Sequence, residues 1–278
     1  MLVELHAHSH HSEGRQVKVE GLHSVEQMLK HAKKIGLKAL AITDHDSLKG
    51  GLEARKKAKK LGLIGIAGQE INSAEGHVIG LGLQEFIEPG LSVEETIGLI
   101  HRQAGISIAP HPFDIYGKGV KEKAIYCDAV ESFNAFNLDR TSNYLAERFC
   151  KKHELIRLSG SDAHFKEGLG IAATKLLVEA DDEDDVLKAV KKGLVQCNNN
   201  YGSVTALRDW SIKRLRKSYP FVLNYIEENY SHPKKLVAKK LLSIARKDNL
   251  ASKALINCFA YSGYGIVLSY GLLKPLIK

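Results

Sequence analysis

Short apolar runs alternate with longer amphipathic stretches over the first 200 residues of the chain. The runs are four to seven residues long and rich in Leu, Ile, Val and Ala, which is typical of buried strands. A first run covers residues 2–5, and six others follow at 37–42, 63–67, 77–83, 106–109, 129–133 and 155–158. The pattern therefore predicts at least seven strands.

The stretches between these runs carry the start and stop signals of helices. Ser24 is placed to cap a helix, with Gln27 three residues later as its capping-box partner and Gly36 as its end. Further helices are predicted at 49–60, 92–103, 141–152 and 181–192. This alternation predicts an α/β fold with a parallel sheet, and more than six such units within 200 residues favour a barrel.

The basic residues are concentrated after residue 202. Residues 203–278 contain 14 Lys or Arg and 4 Asp or Glu, whereas residues 1–202 contain 26 and 28. The Asn- and Gly-containing segment at 197–202 is typical of a chain reversal. We therefore expect a barrel domain at 1–202 and a small basic helical C-terminal extension at 203–278.

The composition narrows the class of protein. With 278 residues, 44% of them hydrophobic, the chain can bury one large core. The four cysteines are far apart and form no CxxC pair, which argues against a zinc ribbon or a disulfide framework. No targeting segment precedes the first histidines, so we expect a cytoplasmic protein with reduced thiols.

Four histidines stand between positions 6 and 11, in the segment LHAHSHH. His6 and His8 continue the alternation of the first strand, so both rings point to the same side. Two neighbouring imidazoles at a strand end can offer a metal ion two nitrogens.

Other histidines and carboxylates also stand at strand ends. In an α/β barrel the carboxyl ends of the strands meet at one rim, where catalytic groups gather. A lone buried histidine is more often a hydrogen-bonded core residue, but such groups at six strand ends, including the one with His6 and His8, favour a site. The residues in question are Asp44, His45, Glu70, His77, His111, Asp162 and His164.

The histidines and carboxylates lie in five segments: HAHSHHSEG, ITDHD, GQE, APHP and SGSDAH. In this order, the segments resemble the motifs of the polymerase and histidinol phosphatase (PHP) superfamily. The resemblance covers about residues 1–197. It implies a distorted seven-stranded (β/α) barrel, similar to a TIM barrel, that hydrolyses phosphate esters with two or three divalent ions, typically zinc, manganese or iron.

The resemblance also implies the ligands. His6, His8, Glu70 and Asp162 would form one set, with Glu70 bridging to a second ion held by His45 and His164. His77 and His111 would complete a third site. The second ion usually takes a further ligand five or six residues after the second histidine, where Glu13 stands. The catalytic residues would be Asp162, His164 and Asp44, the last orienting His45; a turn that caps the next helix is the other interpretation of Asp44.

Mixed imidazole and carboxylate ligands suit Zn²⁺, Mn²⁺ or Fe²⁺ and do not choose among them. Such ions lower the pKa of bound water to roughly 7, which would supply hydroxide to attack the ester. Many small phosphatases of the family carry an Arg after the HP motif to hold phosphate. Here that role would fall to Arg15, Lys118 or Lys166.

The C-terminal extension allows two interpretations. Its Lys and Arg residues could bind nucleic acid, or they could be solvated faces of helices packed beside the barrel, which we favour. Residues 254–277 are long enough to span a bilayer, but their Asn, Ser, Gly and Tyr content favours a buried helix or a homo-oligomer contact.

The functional prediction is a phosphatase that acts on a small phosphomonoester such as a nucleotide or sugar phosphate. The alternative is an exonuclease or phosphodiesterase of the same fold that acts on single-stranded nucleic acid. A non-catalytic binding module is a third hypothesis, against which the near-complete ligand set argues.

Overall fold

A nine-stranded sheet forms the centre of the computed structural model, which describes residues 1–14, 17–247 and 249–273. Its strands are β1 (Leu2–Glu4), β2 (Ala39–Ile42), β3 (Ile64–Asn72), β4 (His77–Leu81), β5 (Ile106–Ala109), β6 (Ala129–Asn134), β7 (Arg157–Gly160), β8 (Ala173–Leu176) and β9 (Val195–Asn198). They lie in the order β7-β6-β5-β4-β3-β2-β1-β8-β9. Hydrogen bonds between Ser159 of the edge strand β7 and Thr174 of β8, the strand next to the opposite edge, nearly close the barrel.

The predicted α/β barrel is confirmed, but the prediction of a parallel sheet is wrong for part of it. Strands β1 to β3 are parallel, as are β5 to β7, whereas β4 is antiparallel to β3 and β5. Only residues 73–76 join β3 to β4, and a parallel crossover needs about a dozen residues or more. The strand that begins at His77 must therefore turn back beside β3.

Two strands exceed the predicted seven. β8 is antiparallel to β1 and to β9, which lies at the edge of the sheet. β9 has the sequence VQCN and alternates between half-buried and exposed residues. It has no apolar run, because an edge strand buries little of its surface, and the hydrophobic pattern did not reveal it.

The helices have the following bounds within the described residues: α1 (Val25–Lys34), α2 (Lys49–Ala58), α3 (Val93–Arg102), α4 (Thr141–Lys152), α5 (Glu183–Lys191), α6 (Val204–Lys217), α7 (Tyr219–Asn229), α8 (Lys234–Arg246) and α9 (Leu250–Leu273). The predicted capping box at the start of α1 is confirmed. The Ser24 hydroxyl accepts a hydrogen bond from the Gln27 amide, and the Gln27 side chain accepts one from the Ser24 amide.

Aliphatic side chains fill the barrel and the space between the sheet and its helices. Val3, Ile66 and Leu158 belong to the cluster inside the barrel, and Met28 and Ile42 belong to a cluster between the sheet and α1. Each such burial stabilises the fold by about 1.5–3 kcal/mol. The strand ends that carry the histidines are therefore fixed on a rigid base.

Helix α6 packs on the rim of the barrel rather than apart from it. The Trp210 indole donates to the carbonyl oxygen of Glu20 at 2.9 Å, and the Lys217 ammonium donates to that of Leu22 at 3.0 Å. The Val19 amide donates to the Ser218 hydroxyl. The predicted boundary at 202/203 falls in the loop before α6, but hydrogen bonds cross it.

Helix α9 comprises 24 residues and is rich in apolar side chains. Across the described part of the chain, no helix combines the length and the hydropathy needed to cross a membrane.

Candidate metal centre

The polar residues that follow the strands converge at one rim of the barrel. His6, His45 and His111 stand two or three residues after the ends of β1, β2 and β5, and a β-bridge joins His45 to Glu70. His77 pairs with Asn72 at the last position of β3. Because β4 is antiparallel, its first residue lies at the same rim as the last residues of its parallel neighbours.

Glu70 is the centre of this cluster. Its carboxylate is fully buried and lies near five imidazole nitrogens. These are His6 Nε2 (3.4 Å), His8 Nε2 (3.2 Å) and His45 Nδ1 (3.1 Å) around Oε2, and His77 Nδ1 (2.7 Å) and His111 Nε2 (3.1 Å) around Oε1. Burial alone would raise the pKa of Glu70, but the imidazoles hold it well below its usual range.

Asp162 supplies a second shared carboxylate. Its Oδ1 lies 3.3 Å from His6 Nε2, 3.1 Å from His8 Nε2 and 3.5 Å from His164 Nδ1. Its φ is +53°, and that of His111 is +30°, a region that L residues rarely adopt. Strained backbone of this kind persists where the surrounding structure fixes a functional geometry.

The side chains fit a group of cations. Four overlapping triads each bring three ligand atoms within 4.8 Å of one another: His8, His45 and His164; His6, His8 and Glu70; His6, His111 and Asp162; His45, Glu70 and His77. His111 Nδ1 is buried without a hydrogen-bond partner, and His45 Nδ1 makes no well-directed hydrogen bond although Glu70 Oε2 lies 3.1 Å away. Burial lowers the pKa of His45 well below its usual value and that of His164 to about 3, so both rings are neutral, as metal ligation requires.

The hydrogen bonds of two rings show which nitrogen faces the centre. His6 Nδ1 lies 3.0 Å from the Glu131 carboxylate, and His164 Nδ1 lies 3.0 Å from the Asp162 carbonyl oxygen. Both partners accept, so each Nδ1 carries a proton, and in the neutral form of each ring Nε2 holds the lone pair. Both Nε2 atoms are thereby available to an ion.

Glu20, which the sequence motifs did not indicate, lies beside His45 and His164, where they suggested Glu13. Glu13 is exposed and lies outside the triads, whereas Glu20 Oε2 lies 3.4 Å from His45 Nε2 and 3.9 Å from His164 Nε2. The loop after His8 folds back, and the Glu20 amide bonds to the carbonyl of Ser12. The one sequence signal is Gly21, where a Cβ would meet the Ser9 carbonyl oxygen at 1.8 Å.

Glu131 was also missed. It stands on β6 with both oxygens engaged, Oε1 with His6 and Oε2 with the His111 amide at 2.9 Å. A carboxylate that holds the second nitrogen of a ligand fixes the ring and raises its basicity. The signal was present, because a glutamate inside the apolar run 129–133 must be buried and therefore needs a partner.

A cavity of about 580 Å³, which we call the rim cavity, opens above the cluster. Its floor includes His45, His77 and His111, and one wall is α6, through Leu207, Trp210, Ser211 and Arg214. The Trp210 ring lies 4.9 Å from that of His164. The Arg214 guanidinium lies 4.1 Å from the Trp210 ring centre and 3.7 Å from Glu20. The C-terminal extension therefore lines the rim cavity as well as bracing the barrel.

Comparison with known proteins gives the family. A family model described as PHP-associated matches residues 140–195. An uncharacterized protein of Methanocaldococcus jannaschii is 41% identical over 152 residues, which are 52% of this chain and 89% of that relative. A phosphoribosyl 1,2-cyclic phosphate 1,2-diphosphodiesterase of Eggerthella lenta is 32% identical over 91 residues, which are 31% of this chain and 32% of that relative. The chain belongs to the PHP family.

Solved structures agree with this family in fold. PsfC from Pseudomonas syringae has a TM-score of 0.57 at 19% identity, covering 77% of this chain and 97% of its own. A putative metal-dependent phosphoesterase from Bifidobacterium adolescentis has a TM-score of 0.50 at 16% identity, covering 68% and 95%. These two likenesses show a shared fold.

The structure brings together all but one of the ligands that the PHP motifs imply. His6, His8, His45, Glu70, His77, His111, Asp162 and His164 all lie in the cluster. The exception is Glu13. Asp44 lies one layer behind the cluster and accepts hydrogen bonds from the Ser9 amide (2.5 Å) and hydroxyl (2.7 Å). It therefore holds the loop after His8 in place, and its role in orienting His45 stays a prediction.

The three predicted substrate-binding cations have different outcomes. Lys118 lines the rim cavity. Lys166 lies 3.9 Å from Glu167 and is absent from the cavity lining. Arg15 lies outside the described residues. Arg214, which the sequence did not single out for this role, is the second cation of the lining.

Proposed function

We propose that this PHP-family protein is a metal-dependent phosphoesterase that releases phosphate from a small phosphomonoester. The observation that carries the proposal is the buried Glu70 carboxylate with five imidazole nitrogens within 3.4 Å. Three of these imidazoles, those of His45, His77 and His111, line a cavity that also contains Lys118 and Arg214.

The ligands divide into sets around Glu70. His6, His8, Glu70 and Asp162 would hold one ion, and His45, His164 and Glu20 a second. His77 and His111 would hold a third with Glu70. Mixed imidazole and carboxylate ligands suit Zn²⁺, Mn²⁺ or Fe²⁺. When bound, such ions lower the pKa of a coordinated water to roughly 7 and offset the negative charge of phosphoryl oxygens.

The remaining side chains position the reaction. Glu131 holds the His6 ring through Nδ1, and Asp44 holds the loop that carries His8. Lys118 and Arg214 place positive charge in the cavity, where phosphate oxygens would lie. His164 is neutral and directs a lone pair at the centre, so we assign it as a ligand and not as the acid that protonates the leaving group.

Two observations favour a small ester over a nucleic-acid strand. Helix α6 covers one side of the site, which limits the room for a long polymer. Many basic residues of the extension already serve contacts within the chain: Arg208 binds Asp209, Arg216 donates to two carbonyl oxygens, and Lys235 and Lys239 pair with Glu227. Paired cations displace few counterions on binding nucleic acid.

The test uses metal-reconstituted full-length protein and its Asp162→Asn variant. We expect the wild type to hydrolyse a chromogenic phosphomonoester, and the variant to lose on the order of a hundredfold in rate or more, because losing a ligand removes the ion that activates water. Circular dichroism would check that the variant is folded. Cleavage of a single-stranded oligonucleotide without hydrolysis of the monoester would instead support the nuclease, and equal rates for both proteins would refute this site.

A further inference from the structure

A second cavity lies beside the metal centre, between helices of the C-terminal extension. It measures about 510 Å³ and is lined by α6, α8 and α9 together with the loops that carry Tyr116 and Phe136. Every lining residue except Arg208 and Ser211 is aliphatic, aromatic or glycine. The Arg208 guanidinium is engaged with Asp209 and Asn257. We call this space the apolar cavity.

The apolar cavity and the rim cavity are neighbours. Four residues line both: Tyr116, Phe136, Leu207 and Ser211. Phe136 is fixed at this wall, since a Cβ added at Gly202 would meet its ring at 2.4 Å and the Phe165 ring lies 5.7 Å away. One side of the shared wall therefore faces histidines and cations, and the other faces aliphatic side chains.

Such a pair of compartments suits a molecule with two unlike ends. Ligand sites are typically several hundred Å³ in volume, mostly apolar, with a few polar groups that fix orientation. A sugar or nucleoside would bring hydroxyl and amide groups into the apolar cavity, where few partners are present, and burying an unpaired polar group is unfavourable. An alkyl or isoprenoid chain has no such groups.

We infer that the substrate is an amphiphilic phosphomonoester, whose phosphate binds at the metal centre and whose hydrocarbon chain occupies the apolar cavity. The inference rests on the proposed function for the phosphate end. The chain end rests independently on the apolar lining and on the shared wall.

The experiment measures binding of n-alkylphosphonates, which cannot be hydrolysed, to the metal-loaded full chain by calorimetry. We expect Kd to fall about fourfold for each added methylene until the apolar cavity is filled, because each methylene leaves water for an apolar environment. The heat-capacity change should become more negative with chain length. A Kd that does not change from ethyl to octyl would overturn the inference.

A pair of glycine variants separates the cavity from general hydrophobicity. Gly263 lines the apolar cavity, and Gly265 is exposed two residues later; a Cβ at either would meet no atom of another element within 4 Å. Gly263→Leu should occupy part of the cavity and weaken binding of octylphosphonate, while binding of ethylphosphonate stays unchanged. Gly265→Leu should behave as wild type. If both variants bind octylphosphonate as tightly as the wild type, the chain binds elsewhere.

Hydrolysis of alkyl phosphates distinguishes this inference from the proposed function. Turnover of ethyl phosphate with no gain for octyl phosphate would leave the phosphoesterase proposal standing and reject the amphiphilic substrate. Chain-length-dependent phosphonate binding without hydrolysis of any ester would support the apolar cavity as a ligand site and reject the phosphoesterase proposal.

Discussion

Glu70 is the residue that most of the histidines in the cluster contact. Burying a charged carboxylate without partners is unfavourable in free energy. Here the partners are five imidazoles, each with one nitrogen within 3.4 Å of Glu70. Neutral His45 and His164, with lowered pKa values caused chiefly by burial, show that the cluster is more than a network of salt bridges.

Glu20 and Glu13 give a matched test at this scale. Glu20→Gln should weaken binding of one ion by roughly tenfold to a hundredfold, because it replaces an anionic oxygen beside His45 and His164. Glu13→Gln should leave binding unchanged, since that side chain is exposed. Titration of each variant with Zn²⁺, followed by calorimetry, measures both. Equal weakening in the two variants would mean that Glu20 is not the ligand.

At the residue scale, the sequence predicted those residues of the cluster that belong to a recognisable motif. His6, His45 and Asp162 stand in segments whose spacing marks them, and they lie in the cluster. Glu20 could not be located by spacing, because its place depends on how the loop between Ser12 and Gly21 folds back over the rim. Glu131 was accessible to reasoning from the burial of a charge inside a strand, although no motif contains it.

Among the elements, α6 changes the interpretation of the C-terminal extension most. Its basic character suggested either a nucleic-acid surface or a brace, whereas its apolar and aromatic residues wall the rim cavity. The sequence could not reveal this, since the hydrophobic pattern of a helix shows that a face is buried but not against which partner. The connection at 73–76, by contrast, is too short for a parallel crossover, so the reversal of β4 follows from its length although the sequence analysis predicted a parallel sheet.

Trp210 tests the role of α6. Trp210→Ala should lower kcat/KM for a phosphomonoester on the order of tenfold to a hundredfold, because it opens the wall and releases the loop held at Glu20. Trp210→Phe keeps a ring beside His164 and loses only the hydrogen bond, so a smaller loss is expected. Steady-state kinetics at saturating metal measure both. Unchanged kcat/KM in the alanine variant would show that α6 does not shape the site.

On the scale of the whole molecule, barrel closure and charge are linked to the site. The barrel places strand ends from β1 to β7 at one rim, and the extension adds a wall with a cation. In the metal-free protein, protonated histidines of the cluster must offset the negative charge of its buried carboxylates. Burial would lower the pKa of His8 and His111, but hydrogen bonds from their rings to Asp162 and Glu70, respectively, raise both to about 9.

These shifts predict how stability depends on pH without metal. A folded-state pKa of about 9 against an ordinary value of 6.5 means that protonated His8 and His111 stabilise the fold below pH 6.5, and that this contribution is lost as the pH rises toward 9. Burial raises the pKa of Glu4 from 4.5 to about 7, so its contribution also falls as the pH rises, but mostly between pH 4.5 and 7. The Tm of metal-free protein should therefore fall between pH 6.5 and 9.

Differential scanning calorimetry over that pH window provides the measurement. The metal-loaded protein should show a weaker dependence, because bound ions take the place of the two protons. A Tm that stays constant or increases with pH in the metal-free protein would show that the shared carboxylates do not stabilise the protonated imidazoles.

The central claim is that the cluster around Glu70 holds the ions on which hydrolysis depends. The most direct measurement titrates metal-free protein with Mn²⁺ and records, in the same samples, bound ions per chain and phosphate released from a phosphomonoester. The account predicts no release without metal and a rate that rises with occupancy to a plateau at about two or three ions per chain. Binding of less than about one ion per chain after reconstitution, or an equal rate in the presence of a chelator, would contradict it.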